Sequence, residues 1–187
     1  MKKRLVWITI LTLISALFLV GCGSDQNTAS DNNSHNNSDK TSALVEPAQL
    51  LTKQEAEEIL GEPVKDAKVN TNPIGQIILF YEPVAETTSL RYVQLSVNQT
   101  AAMPEAMRES GSSAATLFAD SKKLLEQAET VSGLGDDAFW GGSGLAAGAG
   151  LHVLKGDVYF TIDAALGDDA ASREAAEKQA EKILSRL

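Results

Sequence analysis

Leu151-His152-Val153-Leu154-Lys155-Gly156-Asp157-Val158-Tyr159-Phe160-Thr161-Ile162-Asp163 reads as two short strands around Gly-Asp, a strong two-residue hairpin signal. With that loop Val153 faces Phe160 and Leu151 faces Ile162, so the apolar residues share one face. Moving the turn to Lys155-Gly156 changes the partners but keeps the same faces together. A one-residue slip does not, and that parity sets the register.

Outward from the hairpin, residues 77–81 and 91–98 also read as strands. The second alternates, with Val93, Leu95 and Val97 on one face and Tyr92, Gln94 and Ser96 on the other. Residues 83–89 join them as a turn or loop. Thr52-Lys53-Gln54-Glu55 is a capping-box pattern and Gly61 stands where a glycine ends a helix. Between them Ala56, Ile59 and Leu60 share a side, and Pro63 forces an extended exit. A helix is expected over 114–128 with Leu117, Leu124, Leu125 and Ala128 along one side, and a further helical turn within 103–113. A last helix carries Ala176, Ala180, Ile183, Leu184 and Leu187 at helical spacing. Helices before, between and after antiparallel strands define an α+β domain, a sheet flanked by helices. It occupies 44–187, 144 residues, enough chain for one core.

The N-terminus is of another kind. Lys2, Lys3 and Arg4 precede an apolar run from Leu5 to Val20, then Leu19-Val20-Gly21-Cys22. A basic start, an apolar middle and a small residue at the cut are signal-peptide marks. The tetrapeptide resembles the lipobox of bacterial lipoproteins. That resemblance implies cleavage after residue 21, a diacylglycerol thioether on Cys22, and often a third acyl chain on the new amino group. Because each buried methylene contributes about 0.8 kcal/mol and stable anchoring takes more than one chain, such a group holds firmly. The alternative is an uncleaved single-span anchor, since the run approaches spanning length. Cys22 is the only cysteine of the chain, an attachment point with no partner for an internal disulfide. Residues 23–43 hold no aromatic or β-branched aliphatic side chain and are expected to be a disordered tether, about 25 Å end to end. Residues 1–21 are thus a lipoprotein signal peptide, 22–43 the lipidated cysteine and tether, and the expected address is the extracytoplasmic face of a bacterial membrane.

Loss of Lys2, Lys3 and Arg4 takes the net charge from −9 to −12. That balance opposes nucleic acid, whose affinity comes from neutralising phosphates, and opposes adhesion to anionic head groups. The expected partners are the membrane, through lipid alone, and a protein or envelope component.

Leu-Thr-Lys-Gln-Glu-Ala-Glu-Glu-Ile-Leu-Gly at 51–61, and Val131-Ser-Gly-Leu-Gly-Asp-Asp-Ala-Phe-Trp140 before the Gly-Asp hairpin, extend the likeness. With the leader and tether, the arrangement is similar to uncharacterised bacterial surface lipoproteins, some with domains resembling the Mog1/PsbP α/β sandwich. The resemblance covers most of 50–187. It implies an antiparallel sheet flanked by helices, used for binding or assembly, and brings no catalytic residues.

Chemistry within the domain is sparse. His152 is its only histidine, placed opposite Val153 and beside Thr161, with Asp163 on the same face. A Ser-His-Asp site needs a serine in reach, and no Gly-x-Ser-x-Gly elbow is present; a surface or half-buried strand histidine is the expectation. One histidine does not make a zinc site. Asp136-Asp137 beside Gly135 reads as a turn and Asp168-Asp169 as the cap of the last helix, neither in a calcium-loop pattern. No cofactor is expected and the domain reads as a non-enzymatic binding module; an envelope hydrolase is the third reading. Residues 142–150, Gly-Ser-Gly-Leu-Ala-Ala-Gly-Ala-Gly, lack dinucleotide-loop spacing and precede a strand. They read as a flexible hairpin loop or weakly packed edge. The sharper alternative is a lid over a small-ligand cleft near 141–150 with Phe139 or Trp140 as its apolar wall; the other expectation for Trp140 is a place in the core.

Overall fold

A computed structural model describes residues 44–86, 88–125 and 128–187. The leader, Cys22, His35 and the tether lie outside the described residues. In chain order the elements are α1 (Pro47–Leu50), α2 (Lys53–Leu60), β1 (Lys68–Thr71), β2 (Ile77–Tyr81), β3 (Tyr92–Gln99), a 3₁₀ turn (Thr100–Ala102), α3 (Glu105–Glu109), α4 (Ala114–Leu124), β4 (Glu129–Thr130), β5 (Asp137–Trp140), β6 (Leu151–Lys155), β7 (Val158–Ala165) and α5 (Asp169–Leu184).

The seven strands form one antiparallel sheet in the order β1-β2-β3-β7-β6-β5-β4. The expected hairpin is present in its register, Leu151 opposite Ile162 and Val153 opposite Phe160. Gly156 takes the left-handed conformation at φ 54°, which a two-residue turn of this kind requires. β3 pairs with β7 over its whole length, so the clearest strand of the sequence and the longer arm of the hairpin meet at the centre of the sheet.

Each strand divides its residues between two faces. Leu79, Tyr81, Val93, Leu95, Val97, Phe160, Ile162, Ala164, Val153, Leu151, Ala138 and Trp140 point to one side and form the main core with α1, α2 and α5. α2 begins with the full capping box of Thr52 and Glu55 and ends on Gly61 at φ 71°. α5 starts at Asp168, whose carboxylate accepts from the Ala171 N–H at 2.8 Å. Its Ala176, Ala180 and Ile183 are buried as the spacing predicts, whereas Leu187 lies past the helix end and is exposed. The opposite face holds a second cluster, Ala114, Phe118, Phe139 and Tyr159, closed by α4.

α4 departs from expectation. It ends at Leu124, and it buries Ala114 and Phe118, while Leu124 is 81% exposed. Ala114 and Phe118 pack against Phe139 and Tyr159, and Leu117, Leu125 and Ala128 lie half-buried against the same cluster. Of the four residues expected along one side, only Leu124 turns outward. α1, β1, β4 and β5 are also additional to the elements read from sequence. β1 and β4 are edges, exposed along their length, and β5 is only four residues long.

Candidate functional site

The polar side of the sheet carries the chemistry. Tyr92, Gln94, Ser96 and Asn98 of β3 lie beside Tyr159, Thr161 and Asp163 of β7, with His152 of β6 opposite Thr161. α4 crosses this face at one end, and the loop 141–150 joins β5 to β6 at the edge of it. That loop is tied down. Its backbone closes on itself through Gly141 N–H to Gly150 O at 2.9 Å, Gly150 N–H to Gly142 O at 2.7 Å and Ala149 N–H to Ala146 O at 3.0 Å. Side chains from the sheet then hold two of its carbonyls. The expected slack loop is therefore a fastened one, because the residues that fasten it come from strands remote in sequence.

The first tie is at Gly144. The Tyr92 hydroxyl lies 3.0 Å from the Gly144 carbonyl and 2.5 Å from Asp163 Oδ2. One hydroxyl proton serves one of these acceptors at a time. Both contacts become hydrogen bonds when Asp163 is protonated, the acid donating to Tyr92 and Tyr92 donating to Gly144. Burial pushes the Asp163 carboxyl up, against lowering by its hydrogen bonds with Tyr92 and Gly144, and Asp163 Oδ1 is buried with no hydrogen-bond partner among the described residues. Burial first, and then Asp163, likewise push the Tyr92 phenol up. A folded value raised above the usual 3.8 means a contribution to stability that is complete below that pH and lost as pH rises through the folded value. Asp163→Asn keeps the shape and the neutral state, so its denaturation midpoint at pH 7 is expected to exceed that of the parent. A lower midpoint would show that the ionised carboxylate is what Tyr92 holds.

The second tie is at Gly148. His152 is 4% exposed, with Nε2 at 2.9 Å from the Gly148 carbonyl and Nδ1 at 2.6 Å from the Tyr159 hydroxyl. Thr161 Oγ1 lies 3.3 Å from the same Nδ1. Burial pushes the imidazole down, against the Gly148 bond, which raises it. The ring stacks on Phe139 with centroids 4.3 Å apart. Tyr159 continues the chain to Ser121 on α4, hydroxyl to hydroxyl at 3.1 Å. Strand alternation located the face of His152 correctly. It did not foresee burial, since α4 and the loop that cover it arrive from elsewhere in the chain.

Between α4 and the loop a cleft of about 270 Å³ opens, lined by Ser121, Leu124, Leu125, Ala147, Gly148 and His152. Leu125 is wedged against the loop: a Cβ on Gly148, already at φ 80°, would lie 2.6 Å from Leu125 Cδ2. Phe139 and Trp140 are both buried, Phe139 in the cluster beneath His152 and Trp140 in the main core on the other side of the sheet. Neither is among the residues lining the cleft. Ala147 belongs to the loop expected to border a cleft, whereas Ser121 and Leu125 were not read as site residues, because they join it only through the packing of α4 on the loop.

The acidic pairs have structural work. Asp136 accepts from the Gly156 N–H at 2.6 Å and pairs with Lys155 at 2.9 Å, bracing the hairpin turn. Asp137 pairs with Lys122 of α4 at 2.9 Å. Among the described residues no group of three or more His, Cys, Asp or Glu side chains is placed to hold a metal ion, and no helix is long and apolar enough to cross a membrane. No family model, no curated protein and no solved structure matches this chain.

Proposed function

We propose that the protein is a lipid-anchored extracytoplasmic binding module of bacterial surface lipoprotein type, non-enzymatic, whose partner is a protein or envelope component. Leu19-Val20-Gly21-Cys22 carries this reading: a lipobox pattern at the end of a basic and apolar leader, built on the chain's only cysteine. Within the domain, the Val45 N–H donates to Gln99 Oε1 at 2.9 Å, and Gln99 pairs with Val158 beside the Gly156-Asp157 turn, while the loop 141–150 lies at the other end of β6.

Cys22→Ser tests the anchor. The variant is expected to accumulate as an unprocessed precursor without lipid, detected by its larger mass and by absence of incorporated labelled palmitate. Normal acylation of the variant would refute the reading. Crosslinking at the cell surface from a photoreactive residue at Leu145 is the corresponding search for the partner.

A further inference from the structure

The cleft between α4 and the loop 141–150 has walls set before any ligand arrives. Leu125 packs close against Gly148, and the Gly148 carbonyl is held by His152, so part of the ordering that binding requires is already in place. Its lining is apolar apart from the Ser121 hydroxyl and the edge of His152, and no charged side chain lines it among the described residues. Leu124, one of its lining residues, is 81% exposed, the most exposed large hydrophobic side chain among the described residues. At about 270 Å³ the space is too small for a helix or an acyl chain. A cavity of roughly 150 Å³ accepts benzene, so this one suits a molecule of one or two rings.

The hydrogen-bond chain sets the polarity of the one polar contact. A carbonyl only accepts, so His152 Nε2 carries a proton toward Gly148. The ring is buried, and its polar partners among the described residues, Gly148, Tyr159 and Thr161, include no carboxylate. It is therefore neutral, and Nδ1 accepts. The Tyr159 hydroxyl has one proton for two contacts, 2.6 Å to Nδ1 and 3.1 Å to Ser121 Oγ; the shorter one to the bare ring nitrogen takes it, so the longer one is a hydrogen bond when Ser121 donates. Ser121 lines the cleft, and with its proton given to Tyr159 its hydroxyl is left as an acceptor.

We propose that this cleft is a binding site for a small uncharged ring compound that donates one hydrogen bond to Ser121. The site does not rest on the anchor at Cys22, and either reading stands if the other fails.

Indole and 1-methylindole are the probes, alike in shape and differing in the N–H donor. The measurement is methyl NMR of the full chain, with or without lipid at Cys22, with labelled leucine and alanine, together with the His152 ring resonances. Indole is expected to shift the Leu124, Leu125 and Ala147 methyls saturably, and 1-methylindole to bind about fivefold more weakly, the scale of one net hydrogen bond. Ser121→Ala should bring indole to the level of 1-methylindole. Ala147→Phe fills the cleft from an exposed position and should weaken indole about tenfold or more, its fold checked by Trp140 emission; if it does not fold, Ser121→Ala still decides. No saturable shift, equal binding of the two probes, or indole binding unaffected by Ser121→Ala overturns the proposal.

Discussion

Phe139→Ala is expected to lower the free energy of unfolding by about 3–5 kcal/mol, the cost of deleting a fully buried aromatic side chain and leaving a cavity. Phe139 is completely buried. It packs against Phe118 of α4 with centroids 5.2 Å apart and stacks on His152 at 4.3 Å. Its removal unseats both α4 and the ring that holds Gly148. For a domain whose whole stability is on the order of 5–15 kcal/mol, that is a large share. Urea unfolding monitored at Trp140 measures it, and Phe139→Leu should cost much less because most of the volume is kept. A loss below about 1 kcal/mol in Phe139→Ala would show that the second face of the sheet is loosely closed, against the packing described.

The other large effect is at the opposite side of the sheet. Glu55 is 7% exposed and belongs to the capping box of α2. Arg186, beyond the end of α5, reaches it with both terminal nitrogens, at 3.0 Å and 2.6 Å, and also donates to the Gln49 and Leu50 carbonyls. One side chain thereby ties the C-terminus to α1 and α2. Burial alone pushes the Glu55 carboxyl up; hydrogen bonds from Arg186 and from the Thr52 N–H and hydroxyl outweigh it and bring it down to about 2 from 4.5. Because the folded value is the lower one, the stability is complete above pH 4.5 and is lost as pH falls toward about 2. At 1.36 kcal/mol per unit the effect is about 3 kcal/mol. Arg186→Ala leaves the buried carboxylate to its Thr52 cap and to Lys182 at 3.9 Å, and is expected to cost about 2–3 kcal/mol at pH 7, with a flattened acid limb in the stability curve. An acid limb of unchanged depth would show that the cap and Lys182 hold Glu55 without Arg186.

Local pattern was enough for much of the fold. The capping box at Thr52, the glycine stop at Gly61, the alternation from Val93 to Val97 and the Gly156-Asp157 turn each involve residues within one turn or one hairpin of one another. Their physics is local, and a sequence displays it directly. The same holds for the three buried positions Ala176, Ala180 and Ile183 of α5. α4 shows where this ends: Leu117, Leu125 and Ala128 do pack half-buried on the second cluster, but Leu124 is exposed and the deepest positions are Ala114 and Phe118. Which stripe a helix buries depends on the surface it meets. That surface is Tyr159 and Phe139, residues from strands well downstream.

The site follows the same division. His152 and Asp163 were placed on one face of a hairpin by parity alone. What each one touches was decided by long-range packing. Tyr92 comes from β3 to Asp163, Ser121 comes from α4 to Tyr159, and the loop 141–150 folds back over both. Sequence by itself determined the α+β class, the hairpin register and both ends of α2, since each is set by neighbours along the chain. Only the tertiary structure decided that a glycine- and alanine-rich loop is fastened at Gly144 and Gly148, and that a cleft opens beside it. A buried polar group takes whichever partner the assembled fold supplies, and here those partners are up to 71 residues away.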